Sequence, residues 1–261
     1  MPAPNTPGVV YDFSSDGTYA EVIGYIGTAT QVKIASVYEG LPVKTIYDSA
    51  FYGNDTITSV VIPDSVETIG SSAFSYCSSL SSVVIGDSVT SIGDSAFSYC
   101  SSLTSVVIPD SVTYIGSSAF YGCSDSLFSE YEYGKYLASG DNPYAVLIGI
   151  TNENMSTYTI HEDTKIIAST AFSGCSRMTS ITIPDSVTSI GYEAFYSCGS
   201  LSSIVIPDSV TSIGACAFYS CGSLTDVYYT GSEEEWAEIE IYDANNSLFY
   251  ATIHYNYVPA Q

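Results

Sequence analysis

The chain has 261 residues, and its five Lys+Arg against 28 Asp+Glu give a formal charge of −23 at pH 7. This charge repels phosphate backbones and anionic lipid headgroups, so the composition excludes nucleic acid as a partner. Only two histidines are present, which leaves little material for imidazole-based triads or multi-histidine metal sites. We therefore expect a protein that is not an enzyme and that carries no cofactor or metal.

The N-terminal residues 1–31 are predicted to form a β cap, because the stretch GTYAEVIGYIG is rich in strand-forming residues. The opening MPAPNTPG has neither the basic nor the apolar region of a signal peptide. No run approaches the ~20 apolar residues that span a bilayer. We expect no direct membrane insertion of these residues, with any export signal and anchor lying outside them.

A repeat of fixed length follows the cap. Its anchor is an Ala-Phe pair, found at Ala50-Phe51, Ala73-Phe74, Ala96-Phe97, Ala119-Phe120, Ala171-Phe172, Ala194-Phe195 and Ala217-Phe218. Neighbouring pairs are 23 residues apart, except that Phe120 and Phe172 are separated by one period and 29 extra residues. In such arrays each unit buries its apolar face only against its neighbours. The period predicts a parallel solenoid over residues 32–229 with one insertion.

Each part of the best-kept unit, IPDSVTSIGxxAFxxCxSLTSVV, has its own physical role. The segment LSSVVI is predicted to be a strand that points Val83 and Ile85 into the core and Val84 outward. Pro-Asp ends the strand and starts a turn, after which Val66 and Ile69 in one unit return inward. A Gly is then predicted to permit a tight bend, and Ala-Phe to fill the core from a short helical or 3₁₀ turn.

The 29 extra residues lie between Cys123 and Met155. Two strand-like runs, YGKYLAS and YAVLIGI, are separated by the turn signal GDNP, which predicts a β-hairpin at about 124–154 that leaves the solenoid. The hairpin could cover its neighbours or form a recognition element, whose candidate contact residues are Tyr131, Tyr133, Tyr136 and Tyr144. If it stands apart, replacing it with a two-residue turn should preserve a cooperative fold.

A C-terminal cap is predicted over residues 230–261. Ser232 and Glu235 have the spacing of a capping box, which predicts a short helix around Trp236. The run YATIHYNY then alternates as a final strand and closes an edge that would otherwise expose unpaired backbone groups.

The repeat IPDSVTSIGxxAFxxCxSLTSVxI resembles the 23-residue leucine-rich repeat of the BspA type, over about residues 32–229. The segments TGSEEEWAEI and YVPAQ resemble the C-terminal cap of many family members. The departures are Gly86 and His161 at the Pro position, Asn54 at the first Cys position, and the insertion. The expected fold is a β-rich, leucine-rich-repeat-like solenoid of parallel coils with short helical or 3₁₀ turns, a hairpin insertion and terminal caps.

This resemblance implies an extracellular or cell-surface location, in a bacterial surface or secreted protein that serves adhesion or protein binding. It implies no catalytic residues. Our main hypothesis is a monomeric binding module that presents a sheet face and Tyr-rich edges to a host or microbial protein or glycan. The alternative is a structural spacer that projects other domains from the cell surface.

The outward strand positions form the first candidate binding surface. They are Lys33, Val61, Val84, Val107, Thr159, Thr182, Val205 and Tyr228. Val and Thr favour any sheet surface, so β-propensity alone could explain this column. A contiguous exposed apolar stripe is also typical of a site for a partner, although β-propensity is the simpler explanation.

Tyrosine provides the second candidate surface, with 24 in the chain. Six follow the Phe anchor closely: Tyr52, Tyr76, Tyr99, Tyr121, Tyr196 and Tyr219. A Tyr ring with its polar tip suits contact with proteins and stacking on sugars. The alternative interpretation is that each ring packs over the turn of its neighbour.

An acidic column follows the strands, at Asp64, Asp87, Asp110, Glu162, Asp185 and Asp208. Each coil brings one carboxylate without a calcium-loop motif, so turn formation and solubility explain the column better than a metal site.

Six of the seven cysteines share one repeat position: Cys77, Cys100, Cys123, Cys175, Cys198 and Cys221. In-register coils would hold their Cβ atoms ~4.8 Å apart, longer than a disulfide prefers, so we expect buried free thiols. Cys216 lies at a different position and is predicted to be an exposed free thiol.

Overall fold

The computed structural model of the protein describes residues 6–259. Residues 1–5 of the predicted N-terminal cap and residues 260–261 of the predicted C-terminal cap lie outside this range. The described residues divide into two compact units. Unit 1 holds the described residues up to Phe128 together with Ala138–Asp141, and unit 2 holds Ser129–Leu137 and those from Asn142 onward.

The strands of unit 1 are short and follow one another along the chain. They are β1 (Val9–Phe13), β2 (Ala20–Tyr25), β3 (Gln31–Lys33), β4 (Val37–Tyr38), β5 (Leu41–Ile46), β6 (Ser59–Val61), β7 (Thr68–Ile69), β8 (Ser82–Val84), β9 (Ser91–Ile92), β10 (Ser105–Val106) and β11 (Tyr114–Ile115). A single 3₁₀ turn follows at Asp125–Leu127.

Two parallel sheets run through unit 1, and each coil adds one strand to both. One sheet has the order β3, β6, β8, β10, and the other has the order β2, β5, β7, β9, β11, with β1 antiparallel to β2 at its edge. The β7, β9 and β11 strands lie where the sequence predicted only an inward-pointing apolar pair. Each of these strands has only two residues, which is too few for an alternating pattern to be recognised in the sequence.

The core of unit 1 is built by identical positions of successive coils. Val83 and Ile85 are buried while Val84 is exposed, which confirms the predicted alternation. The anchor rings stack directly, with centroids 4.8 Å apart for Phe51 and Phe74 and 5.2 Å for Phe74 and Phe97. Each coil therefore buries its Phe against the next coil, as a repeat that cannot bury its own face requires.

The Ala-Phe segments lie in hydrogen-bonded β-turns. Ala73 donates its backbone N–H to the carbonyl oxygen of Gly70, three residues earlier, while Phe74 donates across to Ala96 of the next coil at 2.7 Å. Ser72, which precedes the pair, has φ 55°. A residue in this left-handed region stops the turn from continuing as a helix and directs the amides toward the neighbouring coil.

The Gly that recurs in most coils is needed for a reason other than the tight bend predicted from the sequence. A Cβ added to Gly93 would lie 2.7 Å from the Ser71 nitrogen, and one on Gly191 would lie 2.5 Å from that of Ser169. Glycine is therefore required because the backbone of the preceding coil passes too close for a side chain. Ala168 replaces this Gly in the coil that follows the insertion. Its backbone N–H donates to the carbonyl oxygen of Leu147, which lies in the long strand Asn142–Ile150.

Unit 2 repeats the arrangement with its own pair of sheets. Its strands are β12 (Ser129–Tyr131), β13 (Gly134–Ser139, of which the last two residues belong to unit 1), β14 (Asn142–Ile150), β15 (Ile166–Ile167), β16 (Ser180–Thr182), β17 (Ser189–Ile190), β18 (Ser203–Ile206), β19 (Ser212–Ile213), β20 (Asp226–Tyr229), β21 (Glu240–Ile241) and β22 (Thr252–His254). The sheet orders are β12, β13, β14, β15, β17, β19, β21 and β16, β18, β20, β22.

The predicted hairpin is present as β13 and β14, but it does not leave the solenoid. Strand β14 pairs in parallel with β15, with Val146 opposite Ile166 and Leu147 opposite Ile167. Leu147 is buried in the core of unit 2. The expectation of a separate hairpin is wrong because the apolar run of β14 joins the unit 2 sheet, where it is the parallel neighbour of β15.

The C-terminal elements are two short helices, α1 (Glu233–Ala237) and α2 (Asn246–Tyr250), with β21 between them and β22 after them. Ser232 and Glu235 form the predicted capping box, each side chain accepting the backbone N–H of the other. Within residues 6–259, no helix has the length and apolar character needed to cross a membrane.

Candidate interaction surfaces

The outward face of the β3, β6, β8, β10 sheet carries an apolar row in unit 1. Val61, Val84 and Val107 are 37%, 59% and 49% exposed, and Val61 and Val84 are direct partners on adjacent strands. Lys33 occupies the same outward position on β3, opposite Val61. Val107 directly follows Val106 at the end of β10, and Val106 is the partner of Val83 on β8. The three valines, called the valine row below, thus hold the same outward position on three successive coils.

Polar side chains beside the valine row are already hydrogen-bonded. Ser81 donates its hydroxyl to the carbonyl of Thr58 at 2.9 Å, and Thr104 donates to that of Ser81 at 3.4 Å. Each hydroxyl therefore ties one coil to the preceding one. Ser81 and Thr104 lie three residues before Val84 and Val107, so these bonds hold the segment that leads into each strand.

The equivalent row of unit 2 is less apolar. Thr182, Val205 and Tyr228 lie in register on β16, β18 and β20, followed by His254 on β22. Thr182 is exposed, whereas Val205 and Tyr228 are half-buried. Thr159, the remaining predicted member, is exposed but lies outside any strand. The predicted stripe is therefore two rows, one on each unit.

Aromatic stacking and a side-chain hydrogen bond fix the last part of this second row. The Tyr228 ring stacks on His254 with centroids 4.7 Å apart, and Tyr257 packs against Tyr228 at the same distance. His254 Nε2 lies 2.7 Å from Asp226 Oδ1. The hydrogen bond with His254, helped by one from Thr225, lowers the pKa of Asp226. Sequence reasoning missed this pair, although the alternation of YATIHYNY already placed His254 outward.

The tyrosines beside the Phe anchors form a continuous exposed row in unit 1, called the tyrosine row below. Its members are Tyr52, Tyr76, Tyr99 and Tyr121. Consecutive ring centroids are 5.6, 4.7 and 5.4 Å apart. In unit 2, Tyr196 and Tyr219 stack at 5.6 Å. Packing over a neighbouring coil is thus observed, and the rings remain accessible to solvent.

The hairpin tyrosines lie mainly inside unit 2. Tyr136 is only 1% exposed and belongs to the core, so its prediction as a contact residue is wrong. Its ring is covered because β14 joins the sheet and brings the hairpin onto the core. Tyr131, Tyr133 and Tyr144 are half-buried against the same core.

A histidine completes this aromatic cluster. Tyr144 stacks on His161 with centroids 3.9 Å apart, and Tyr131 meets the same ring edge-on at 4.8 Å. The Asp163 backbone N–H donates to His161 Nδ1 at 3.2 Å. His161, which replaces the usual Pro, therefore packs between hairpin tyrosines that other coils lack.

The acidic column stays on the turns. Asp64 accepts the backbone N–H of Asp87 at 3.2 Å, and Asp110 accepts the hydroxyl of Ser139 at 2.6 Å. Both contacts run from a turn to a later segment of the chain, 23 and 29 residues away, so these two carboxylates link neighbouring segments. Among residues 6–259, no group of three or more His, Cys, Asp or Glu side chains is placed to hold a metal ion.

All seven cysteines are free thiols. Five of the six that share the repeat position are buried, and Cys123 is half-buried. Cys216 is also half-buried, less accessible than predicted, and lies at a left-handed turn position with φ 56°. Burial raises the pKa of Cys77 to about 12 and that of Cys123 to about 12.

The repeat pattern identifies the family. Six copies of the BspA type leucine-rich repeat region match residues 37–130 and 150–255. The chain belongs to the BspA-type leucine-rich repeat family. A comparison with curated protein sequences gives no match.

Solved structures similar to this BspA-type chain are themselves leucine-rich repeat proteins. One from Bacteroides ovatus is 26% identical, with 96% of this chain and 70% of that chain covered and a TM-score of 0.48. One from T. pallidum is 24% identical, with 87% and 81% covered and a TM-score of 0.44. One from Bacteroides capillosus is 29% identical, with 45% and 89% covered and a TM-score of 0.41. The family assignment rests on the repeats themselves.

Proposed function

We propose that this BspA-type chain is a non-enzymatic binding or adhesion module, displayed outside the cell by a bacterial surface or secreted protein. Its contact surface is the valine row of unit 1, and its ligand is a host or microbial surface protein or glycan. The observation that carries the proposal is the contiguous exposure of Val61, Val84 and Val107. Single exposed apolar residues are ordinary, whereas contiguous strips mark interaction sites.

The fold does not require valine at these positions. In unit 2 the same repeat position is occupied by the exposed Thr182 on β16, while its partner Val205 on β18 is valine and half-buried. Threonine has the same branched shape and similar β-propensity, so it would satisfy the strand without exposing a second methyl group. The apolar row in unit 1 is therefore better explained by a partner than by sheet formation alone.

The titratable groups support a binding role over a catalytic one. His161 is packed between Tyr131 and Tyr144, and His254 is stacked on Tyr228. Both imidazoles are thus used for packing, and the pair of His254 and Asp226 joins two neighbouring strands.

The test replaces Val61, Val84 and Val107 together by threonine, which keeps side-chain shape and removes the apolar strip. A control variant replaces Ile26 and Val258, each 83% exposed and outside the row, by threonine. Beads coated with each protein are scored for attachment to cultured epithelial cells and to bacterial cells.

We expect the valine-row variant to lose at least ten-fold in attachment, with an unchanged melting temperature, and the control variant to attach as the original protein does. Equal attachment by all three proteins would overturn the proposed contact surface. Absence of attachment by the original protein to either cell type would favour the alternative, a structural spacer.

A further inference from the structure

The four rings of the tyrosine row come from two different positions of the repeat. In the first and fourth coils, Tyr52 and Tyr121 directly follow the Phe anchor, and glycine comes next. In the two middle coils a buried serine follows the anchor, and Tyr76 and Tyr99 come one residue later. Each of the four coils thus contributes one ring, and all four rings are 43–61% exposed.

The middle tyrosines occupy a backbone conformation that disfavours large side chains. Tyr76 has φ 62° and Tyr99 has φ 57°. Glycine holds the same position at Gly53 and Gly122, with φ 68° and 72°. A bulky residue in the left-handed region is uncommon, and such strain is a marker of functional sites. The row is kept continuous even though two of its members are placed unfavourably.

The two end rings are the most exposed members of the row, Tyr52 at 56% and Tyr121 at 61%. Tyr76 and Tyr99 are nearly parallel, at 14°, while Tyr121 is turned by 83° against Tyr99 and Tyr52 by 59° against Tyr76. A Cβ at Gly122 would lie 2.8 Å from the Tyr99 ring, so glycine makes room for that ring. The end rings offer flat apolar faces, and the middle pair offers ring edges and hydroxyl groups.

The middle of the row is uncharged, in contrast to the rest of the chain. The segments FSYCSSL at 74–80 and 97–103 contain no ionisable acid or base that is charged at neutral pH, while the whole chain has a formal charge of −23. The overall charge repels anions. These two segments also contain no carboxylate that could bind a cation. A neutral molecule with many hydroxyl groups and apolar C–H faces matches both the ring faces and the phenolic tips.

We propose that the tyrosine row of unit 1 binds a neutral polysaccharide, with sugar rings stacked on Tyr52 and Tyr121 and sugar hydroxyls bonded to Tyr76 and Tyr99. This site is separate from the valine row. The phenolic hydroxyl of Tyr99 can both donate and accept a hydrogen bond.

The experiment is affinity electrophoresis in gels that contain starch, mannan, galactan or hydroxyethyl cellulose, with polygalacturonate as the anionic control. The main variant is Tyr76→Ser with Tyr99→Ser, because Ser197 and Ser220 occupy the same backbone conformation in unit 2. A second variant, Tyr76→Phe with Tyr99→Phe, keeps the rings and removes the hydroxyls.

We expect at least one neutral polysaccharide, and not polygalacturonate, to retard the original protein. The serine variant should bind at least ten-fold more weakly and the phenylalanine variant at least three-fold more weakly. No retardation by any of the four, or unchanged binding by the phenylalanine variant, would overturn the proposal. The threonine variant of the valine row should be retarded like the original, so the two sites are tested independently.

Discussion

The thiol of Cys100 donates a hydrogen bond of 3.1 Å to the carbonyl oxygen of Phe74, which lies 26 residues earlier on the preceding coil. Cys77 makes the same bond to Phe51, and Cys221 makes it to Phe195, both at 3.1 Å. The recurring cysteine is therefore a link between coils as well as a small apolar side chain.

The first coil shows why the position tolerates a different residue there. Asn54 occupies the cysteine position of that coil, and the residue 26 positions earlier is Thr28, not a Phe anchor. Its side-chain oxygen instead accepts the backbone N–H groups of Thr56 and Ile57, both at 3.1 Å. A polar cap thus replaces the inter-coil thiol bond.

Thiol reactivity should separate Cys216 from the ladder. Burial raises the pKa of Cys77 and of Cys100, so these thiols stay protonated and unreactive near neutral pH. Neighbouring Cys198 lowers the pKa of Cys175 and Cys221, but both are at most 1% exposed and closed to a reagent. We expect iodoacetamide at pH 8 to label Cys216 first in the native protein and the six ladder cysteines only on unfolding. Peptide mass spectrometry that finds Cys100 labelled as fast as Cys216, or that finds native disulfides, would contradict this.

Two glycines should respond oppositely to alanine. A Cβ at Gly191 would meet the backbone of Ser169 at 2.5 Å, whereas a Cβ at Gly199 meets nothing within 4 Å and its φ is not in the left-handed region. Gly191→Ala should therefore destabilise by about 1–3 kcal/mol or more. Gly199→Ala should be neutral or stabilise by about 0.4–1 kcal/mol through the unfolded state. Chemical denaturation measures both, and similar values would argue against close backbone contact.

Acid should remove the stability that the contact between Asp226 and His254 gives to the last strand, β22. The bond with His254 lowers the pKa of Asp226 in the folded state, so this contribution to stability is present above about pH 4, the unfolded value. It is lost as pH falls through the lower folded value. We expect Asp226→Asn to reduce the fall in melting temperature between pH 5 and pH 3, and the exposed Asp185→Asn to reduce it less. An equal effect of both variants would show that the pair adds nothing specific.

The hairpin should be necessary for the stability of unit 2. Replacing residues 124–154 by a two-residue turn removes β14, exposes the edge of β15, and takes Tyr136 and Leu147 out of the core. We expect lower thermal stability and faster amide hydrogen exchange at Ile166 and Ile167. Hydrogen exchange that matches the original protein would mean that the hairpin is dispensable.

Features that depend on residues close together in the sequence could be predicted. The outward position of Val84 follows from alternation, and the capping box of Ser232 and Glu235 follows from spacing. The burial of Tyr136 could not be predicted, because it depends on which strand β14 joins. The close approach at Gly191 was missed for the same reason, since its neighbour is one coil earlier in the chain.

The valine row as a contact surface is tested most directly by photo-cross-linking. A benzoylphenylalanine placed at Val84 reports on the row, and one placed at Thr90, exposed on the same coil but outside the row, serves as the control. Both proteins are irradiated on epithelial and bacterial cells. We predict covalent adducts with a cell-surface component from position 84 and none from position 90. Adducts from position 90 alone, or equal adducts from both, would contradict binding through the valine row.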